Sequence, residues 1–155
     1  MILILAVGQR QPGWVDDAVA DYLGRFPADQ RPTIKEIRAE PRTTGKTVEI
    51  MLVAEADRIA ASLPRDCVVI ALDERGKSYT TVEFSQFLKR EQERSGNLAF
   101  LIGGPDGLDP ALKSRCSHQI RLSAMTLPHG MVRVMLAEQL YRAWSIQKNH
   151  PYHRA

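Results

Sequence analysis

The stretch Leu98-Ala-Phe-Leu-Ile-Gly-Gly-Pro-Asp-Gly107 joins an apolar run directly to a glycine-rich turn. A short, continuous apolar run bounded by turn residues is typical of a strand that is buried on both faces of a parallel sheet. Glycines at the end of such a strand allow positive φ angles and close approach by a ligand, although a plain strand-to-helix turn explains them equally well. In a parallel sheet the ligand site lies beyond the carboxyl ends of the strands, so we expect one at this turn.

Other apolar runs predict further strands, which alternate with segments of helical period. The predicted strands are Ile2–Val7, Thr33–Arg38, Cys67–Leu72, Leu98–Ile102 and Gln119–Ser123. The predicted helices are Trp14–Phe26, Thr47–Leu63, Thr81–Arg94 and a last one from about Met131 to Gln147. Such alternation predicts right-handed crossovers onto a mainly parallel sheet with helices on both faces, which is an α/β fold. A chain of 155 residues is typical of a single domain, residues 1–155.

Composition excludes several classes of protein. The chain is 44% hydrophobic and 25% charged, which is ordinary for a globular domain and not typical of disorder. The first apolar run ends at Gly8 and is too short to span a bilayer. Two cysteines, Cys67 and Cys116, provide neither a disulfide framework nor the four ligands of structural zinc. We therefore expect a cytoplasmic, reduced protein that holds no metal and contacts no membrane.

The segment from Glu40 to Lys46 is rich in loop residues and is predicted to be mobile. Its end, Gly45-Lys46-Thr47, resembles the end of a P-loop. Glu40 occupies the position of the first P-loop glycine, and no strand immediately precedes it. The segment therefore argues against hydrolysis of ATP or GTP.

Charge is distributed unevenly along the chain. The last 45 residues carry seven Lys and Arg residues, a single carboxylate at Glu138 and all four histidines. The first 110 residues carry 14 basic and 17 acidic side chains. A basic terminal segment after an acidic body indicates a face that binds a polyanion.

The segment Leu122-Ser-Ala-Met-Thr-Leu-Pro-His129 is an apolar loop that follows a predicted strand. Exposing Leu122, Met125 and Leu127 is costly in water unless the loop is buried or covers a ligand. Small side chains with free backbone groups suit a purine that is bound by the main chain between apolar side chains. A buried crossing loop without a ligand is the alternative.

The last helix and the tail also carry candidate functional groups. The tail Asn149–Arg154 offers stacking surface and phosphate contacts for an unpaired nucleotide, with a frayed terminus as the alternative. Glu138 and Arg142 are four residues apart, which predicts an ion pair on the helix. An apolar stripe on this helix predicts core packing, with a dimer interface as a second interpretation; it comprises Val132, Met135, Leu136, Leu140, Ala143 and Trp144.

Together these segments resemble the small trefoil-knotted SPOUT methyltransferases, and within them the family that methylates N3 of a pseudouridine in large-subunit ribosomal RNA. The resemblance covers essentially the whole chain and is carried by Leu101–Leu108, Leu122–His129, Tyr141–Ile146 and Asn149–Arg154. Gly130 departs from the family pattern, in which proline is common at that position. The resemblance implies a trefoil knot in the carboxyl-terminal half, which would bury the apolar loop. It also implies a homodimer, S-adenosylmethionine as methyl donor, and helix 69 of 23S ribosomal RNA, in the assembled ribosome, as acceptor.

The same resemblance implies roles for individual residues. The donor pocket would comprise Leu72, Gly103, Gly104, Leu122, Ser123, Ala124, Met125, Thr126 and Leu127, with Leu72 and Leu127 on either side of the adenine. The acceptor side would comprise His129, Arg142, Tyr152, His153 and Arg154. Among these, the two arginines would place phosphate and anion, the tyrosine would stack on or orient the base, and one of the histidines would handle the proton.

The family lacks the separate RNA-binding domain of its larger relatives, so a second subunit is the expected source of further RNA surface. Two alternatives to this function remain. One is a transfer-RNA methyltransferase of the same fold, and the other is a non-catalytic, dimeric RNA-binding factor in ribosome assembly.

Overall fold

Five strands and five helices alternate along residues 1–8, 10–42 and 45–154, the part of the chain that the computed structural model describes. The strands are β1 (Ile2–Val7), β2 (Thr33–Ile37), β3 (Val68–Ser78), β4 (Leu98–Ile102) and β5 (His118–Arg121). The helices are α1 (Gly13–Gly24), α2 (Val48–Ser62), α3 (Thr81–Ser95), α4 (Pro110–Arg115) and α5 (His129–Gln147). The predicted alternation is confirmed, and α4 is an addition that the apolar pattern did not predict.

The strands form one sheet in the order β2-β1-β4-β3-β5, and each pairing between neighbours is parallel. One face is covered by α1, α3 and α5, with Ile4 and Phe100 in its core. The other face is covered by α2 and α4, with Leu5 and Leu101 in its core. The predicted α/β class with helices on both faces is therefore confirmed. No helix within the described ranges is both long enough and apolar enough to cross a membrane.

The apolar stripe predicted for the last helix packs in the core. Leu136, Leu140 and Ala143 are buried, and Val132 and Trp144 are partly buried against the same cluster. The helix begins at residue 129, two residues before the predicted start. Core packing thus accounts for most of the stripe, and a dimer interface on it stays a prediction.

Strand β3 is longer than predicted. The prediction ended it at Leu72 because the polar sequence that follows is typical of a turn, but the strand continues to Ser78. Leu72 and Lys77 both pair with Ile120 of β5, so the residues between them bulge out and the chain then rejoins the sheet. At the end of the bulge, a Cβ on Gly76 would lie 2.5 Å from the carbonyl carbon of Ile120, so only glycine fits there. The predicted strand at 119–123 is likewise shifted, because β5 ends at residue 121.

The predicted mobile loop between Glu40 and Lys46 is described only in part, since positions 43 and 44 lie outside the described residues. Glu40 is buried and forms ion pairs with Arg58 and Lys46. Arg42 forms an ion pair with a buried carboxylate of α2. Two residues of the segment, Glu40 and Arg42, are therefore joined to α2 by ion pairs.

Candidate active site

A cavity of about 660 Å3 opens beyond the carboxyl ends of β3, β4 and β5. This volume lies in the range of ordinary ligand sites. Its sides are the β3 bulge, the glycine turn (residues 103–107) and the apolar loop (residues 122–128). Eight of the nine residues predicted for a donor pocket line it: Leu72, Gly103, Gly104, Leu122, Ser123, Met125, Thr126 and Leu127. The ninth, Ala124, is exposed and does not line it.

The glycine turn presents main chain rather than side chains to the cavity. A Cβ on Gly103 would lie 2.5 Å from the carbonyl carbon of Gly107, and one on Gly104 would lie 3.1 Å from the side chain of Val7. Gly107 has a φ of 78° and donates its backbone N–H to the Gly104 carbonyl at 3.0 Å. The turn is therefore closed on itself, and larger side chains would displace its backbone.

The apolar loop is neither fully buried nor fully exposed. Leu122 and Leu127 are half-buried and line the cavity, whereas Met125 is 79% exposed. The Ser123 hydroxyl accepts a hydrogen bond from the Met125 backbone N–H at 2.9 Å, which closes the loop locally. The expectation of a buried loop, with or without a knot, is therefore wrong for the single chain, because the loop forms the rim of an open cavity.

His129, the first residue of α5, connects the end of the apolar loop to the glycine turn. Its Nδ1 lies 2.8 Å from the carbonyl oxygen of Gly103, and its Nε2 lies 2.9 Å from Nε of Arg133. Burial and the neighbouring Arg133 guanidinium lower the pKa of His129, so the imidazole is neutral at pH 7. Both ring nitrogens are occupied by hydrogen bonds. This arrangement argues against His129 as the group that handles the proton.

Three of the predicted acceptor residues, Arg142, Tyr152 and His153, form a separate cluster with Glu138, which we call the tail cluster. Two guanidinium nitrogens of Arg142 lie 2.6 Å and 2.8 Å from Glu138 Oε1, which confirms the predicted ion pair. Tyr152 donates its hydroxyl to the same oxygen at 3.0 Å, and Arg142 lies over the Tyr152 ring at 4.7 Å. Burial and the hydrogen bond to Glu138 raise the pKa of Tyr152 to about 12.

The tail is packed on the body of the protein. The Tyr152 ring contacts Tyr141 at 4.8 Å between centroids, and Arg25 lies 5.7 Å from the Tyr152 ring. The frayed-terminus alternative is therefore wrong. Arg25 and Tyr22, which also contact each other at 4.8 Å, were missed by the sequence analysis because nothing local connects α1 to the tail.

A single chain does not bring the two predicted groups of site residues together. His129 and Arg142 lie on one helix, thirteen residues apart, which corresponds to about 20 Å along its axis. Arg142, Tyr152, His153 and Arg154 do not line the cavity, and Arg154 is exposed. Only His129 of the predicted acceptor residues lies at the cavity.

Two ion pairs lie at the cavity. Lys113 lies 3.4 Å from Asp73 of the bulge, and Arg42 lies 3.0 Å from Asp106 of the glycine turn. Ligand sites of parallel sheets lie beyond the carboxyl ends of the strands. Residues 73–75 follow the predicted end of β3, so the rule that predicted a site at the glycine turn predicts these residues at the same site. Arg133 is 2% exposed, so it does not belong to a basic surface, contrary to the simplest interpretation of the charge distribution. Across the described ranges, no three His, Cys, Asp or Glu side chains are grouped as metal ligands.

Comparison with known proteins agrees with this geometry. A family model described as "Predicted SPOUT methyltransferase" matches residues 1–153, and the chain belongs to this family. The chain is 56% identical over 154 residues to Ribosomal RNA large subunit methyltransferase H of Bordetella pertussis, with 99% of each chain covered. It is 53% identical over 153 residues to the protein of the same name from Ralstonia pickettii, with 99% of this chain and 98% of that one covered. The family predicted from the motifs is thereby confirmed.

Solved structures show the same fold at low sequence identity. A probable methylase family protein from Haemophilus influenzae has a TM-score of 0.58 at 14% identity, covering 99% of this chain and 70% of that chain. A probable methyltransferase from Bordetella pertussis has a TM-score of 0.52 at 15% identity, covering 92% of this chain and 95% of that chain.

Proposed function

We propose that this methyltransferase transfers a methyl group from S-adenosylmethionine to N3 of a pseudouridine in helix 69 of 23S ribosomal RNA. We further propose that it acts in the cytoplasm, on the assembled ribosome, as a homodimer with a trefoil knot. The observation that carries the proposal is the 660 Å3 cavity, which is lined by eight predicted donor residues in a chain of the SPOUT family. The names of the relatives support large-subunit ribosomal RNA as the substrate class.

The residues of the cavity fit S-adenosylmethionine. The glycine turn lines the cavity, and its closely packed backbone at Gly103 and Gly104 leaves no room for larger side chains there. Leu72 and Leu127 provide apolar surface for the adenine, and the backbone of the apolar loop offers donors and acceptors for the polar parts. When bound, the donor supplies an electrophilic methyl group on a sulfonium. The protein's task is to hold the acceptor nitrogen in line with the bond that breaks.

The distance between the cavity and the tail cluster supports a composite site. Arg142 lies about 20 Å along α5 from His129 at the cavity of its own chain, by the helical rise of 1.5 Å per residue. Tyr152 and His153 contact Arg142. A second subunit that lays its tail across the cavity mouth would bring them to the acceptor. In this arrangement each active site combines the cavity of one subunit with the tail of the other.

The tail side chains have distinct electrostatic roles in this proposal. Arg142 is already neutralised by Glu138, whereas Arg154 is exposed and available to an anion. Tyr152 keeps its proton, because its pKa is about 12, and so it orients the base rather than accepting a proton. Arg154 stabilises the anion that forms when N3 loses its proton, which lowers the pKa of the imide.

His153 is proposed to stabilise the same anion. Arg142 donates to its Nδ1 at 3.3 Å, so Nδ1 accepts and Nε2 carries a proton. That Nε2 is buried and has no hydrogen-bond partner among the described residues. A movement of the tail that exposes this nitrogen would let it donate to a carbonyl oxygen of the pseudouridine anion. The N3 proton leaves to water, N3 forms the new bond to carbon, and the sulfur–carbon bond breaks.

The test is transfer of labelled methyl from S-adenosylmethionine to ribosomes from cells that lack this gene. Free large subunits, naked ribosomal RNA and bulk transfer RNA serve as parallel acceptors, with nuclease mapping of the product. Label in helix 69 of ribosomes is the expected result. Label in transfer RNA would instead favour the first alternative. Absence of donor binding in calorimetry would favour the non-catalytic assembly factor.

A further inference from the structure

Three hydrogen bonds connect the edge of the sheet to the glycine turn. Glu36 of β2 accepts from Nη1 of Arg133 at 3.1 Å, and Nε of Arg133 donates to Nε2 of His129 at 2.9 Å. Nδ1 of His129 lies 2.8 Å from the carbonyl oxygen of Gly103. We call these four residues the hydrogen-bond chain. It joins β2, α5 and the turn after β4, which are far apart in sequence.

The direction of each bond follows from the chemistry of the groups. Arginine has only donors, so Nε2 of His129 must accept and the ring proton must lie on Nδ1. Nδ1 then donates to the Gly103 carbonyl. Arg133 is 2% exposed, and its ion pair with Glu36 holds its position. The Glu36 side chain is 46% exposed, so its carboxylate also contacts water. The buried guanidinium thus dictates which tautomer of His129 is present.

We propose that Arg133 is a positioning residue: through His129 it holds the Gly103 carbonyl and thereby sets the shape of the cavity. The inference rests on the proposed function, in which the cavity binds S-adenosylmethionine. Gly103 has no side chain that could anchor the turn, and the next residues of the turn are Gly104 and Pro105. Its backbone contact with His129 links the turn to the start of α5, where the apolar loop ends. The imidazole of His129 therefore connects two of the three sides of the cavity, the glycine turn and the end of the apolar loop.

The neutral state of His129 agrees with this role. Burial and Arg133 lower its pKa, so the ring does not gain a second proton near pH 7. The hydrogen bond to the Gly103 carbonyl and, to a lesser extent, the Glu36 carboxylate raise the pKa of His129 and so oppose this shift. A protonated ring would present a donor to Arg133 and break the chain at that bond.

The test combines histidine NMR with calorimetric titration of S-adenosylmethionine. In the wild-type protein, nitrogen-15 shifts of His129 are expected to show a protonated Nδ1 and an unprotonated Nε2. Arg133→Met removes the donor and leaves a buried acceptor unpaired, so a mixed tautomer and about tenfold weaker donor binding are expected. Arg65→Met makes the same substitution at an exposed arginine before β3 and is expected to leave both readouts unchanged.

Substitutions of His129 separate positioning from simple loss of stability. His129→Asn places an amide N–H where Nδ1 donates and is expected to retain donor binding within about threefold, whereas His129→Gln cannot reach Gly103 and is expected to lose about tenfold. In the His129→Asn background, Arg133→Met is expected to have little further effect on binding, because the two residues act through one contact.

Three results overturn the proposal. They are a proton on Nε2 in the wild-type protein, unchanged donor binding in a folded Arg133→Met variant, or fully additive losses in the double variant. The wild-type NMR result is decisive even where Arg133→Met fails to fold. If the wild-type protein does not bind S-adenosylmethionine, the proposed function is wrong too. If the wild type binds it and one of the three results above is found, only the role of Arg133 is wrong.

Discussion

Replacing Arg42 with methionine is expected to destabilise the protein by about 3 kcal/mol. Nη1 of Arg42 lies 2.7 Å from Oε2 of Glu55, and Nε of Arg42 lies 3.0 Å from Asp106 of the glycine turn. Glu55 is only 2% exposed. Without Arg42 its carboxylate keeps the backbone N–H of Glu40 at 2.8 Å but loses its cationic partner.

The magnitude follows from the burial of the two partners. Removing one member of a buried ion pair costs roughly 3–5 kcal/mol, because the other charge stays buried without compensation. The Arg42 side chain is 27% exposed, so water enters when it is removed and the cost falls at the lower end of that range. For a chain of this length, about 3 kcal/mol lowers Tm by roughly 6–12 °C.

Urea unfolding monitored by circular dichroism measures this effect. The midpoint is expected to fall while the m-value stays constant, because the surface exposed on unfolding is unchanged. The double variant Arg42→Met/Glu55→Met removes both charges and is expected to recover part of the loss. Arg65→Met is the matched control, within about 0.5 kcal/mol of wild type. A loss below about 1 kcal/mol for Arg42→Met, or a double variant less stable than the single one, would refute this reasoning.

Three further predictions concern the site. Gly103→Ala places a Cβ 2.5 Å from the Gly107 carbonyl carbon, so donor affinity measured by calorimetry is expected to fall at least about tenfold. Gly24→Ala is the control: no atom lies within 4 Å of its Cβ, so this variant should retain donor affinity. Folding lowers the pKa of His129, so the unfolded chain binds a proton more readily than the folded protein. The free energy of unfolding should therefore decline as pH falls below about 6.5. The decline should be smaller in the His129→Asn variant, which lacks this titrating group. If the free energy of unfolding fell equally with pH in the wild type and in His129→Asn, the lowered pKa would not belong to His129. Arg154→Ala should sharply reduce methyl transfer while donor affinity stays near wild type; a parallel loss of donor binding would make the tail structural.

The sequence predicted the central strands best. Ile2–Val7 and Leu98–Ile102 match β1 and β4 at both ends, because strands buried on both faces appear as uninterrupted apolar runs with sharp limits. The end of β3 was wrong, because a bulge that leaves and rejoins the sheet has the polar sequence of a turn. Helix α4, six residues long, is too short to show a helical period.

The candidate site was predicted in part, for a similar reason. Its glycine turn and apolar loop are continuous segments with unusual composition, so sequence alone identified them. The hydrogen-bond chain was missed because Arg133 and Glu36 are 97 positions apart, and nothing local distinguishes a buried arginine from an exposed one. Likewise, the separation of His129 from the tail cluster depends on the length of α5 rather than on residue type.

The construction of the cavity also constrains when it can exist during synthesis and folding. Its three sides come from the β3 bulge, the turn after β4 and the loop after β5, and the last of these is made only when β5 docks beside β3. A nascent chain that has not yet added residues 118–129 has two sides of the cavity and no enclosed volume. Binding at the cavity therefore reports completed folding, and a ligand selective for the native state would stabilise it by RT ln(1 + [L]/Kd). The concentration of that ligand in the cell thus contributes directly to the free energy of unfolding of the newly made protein.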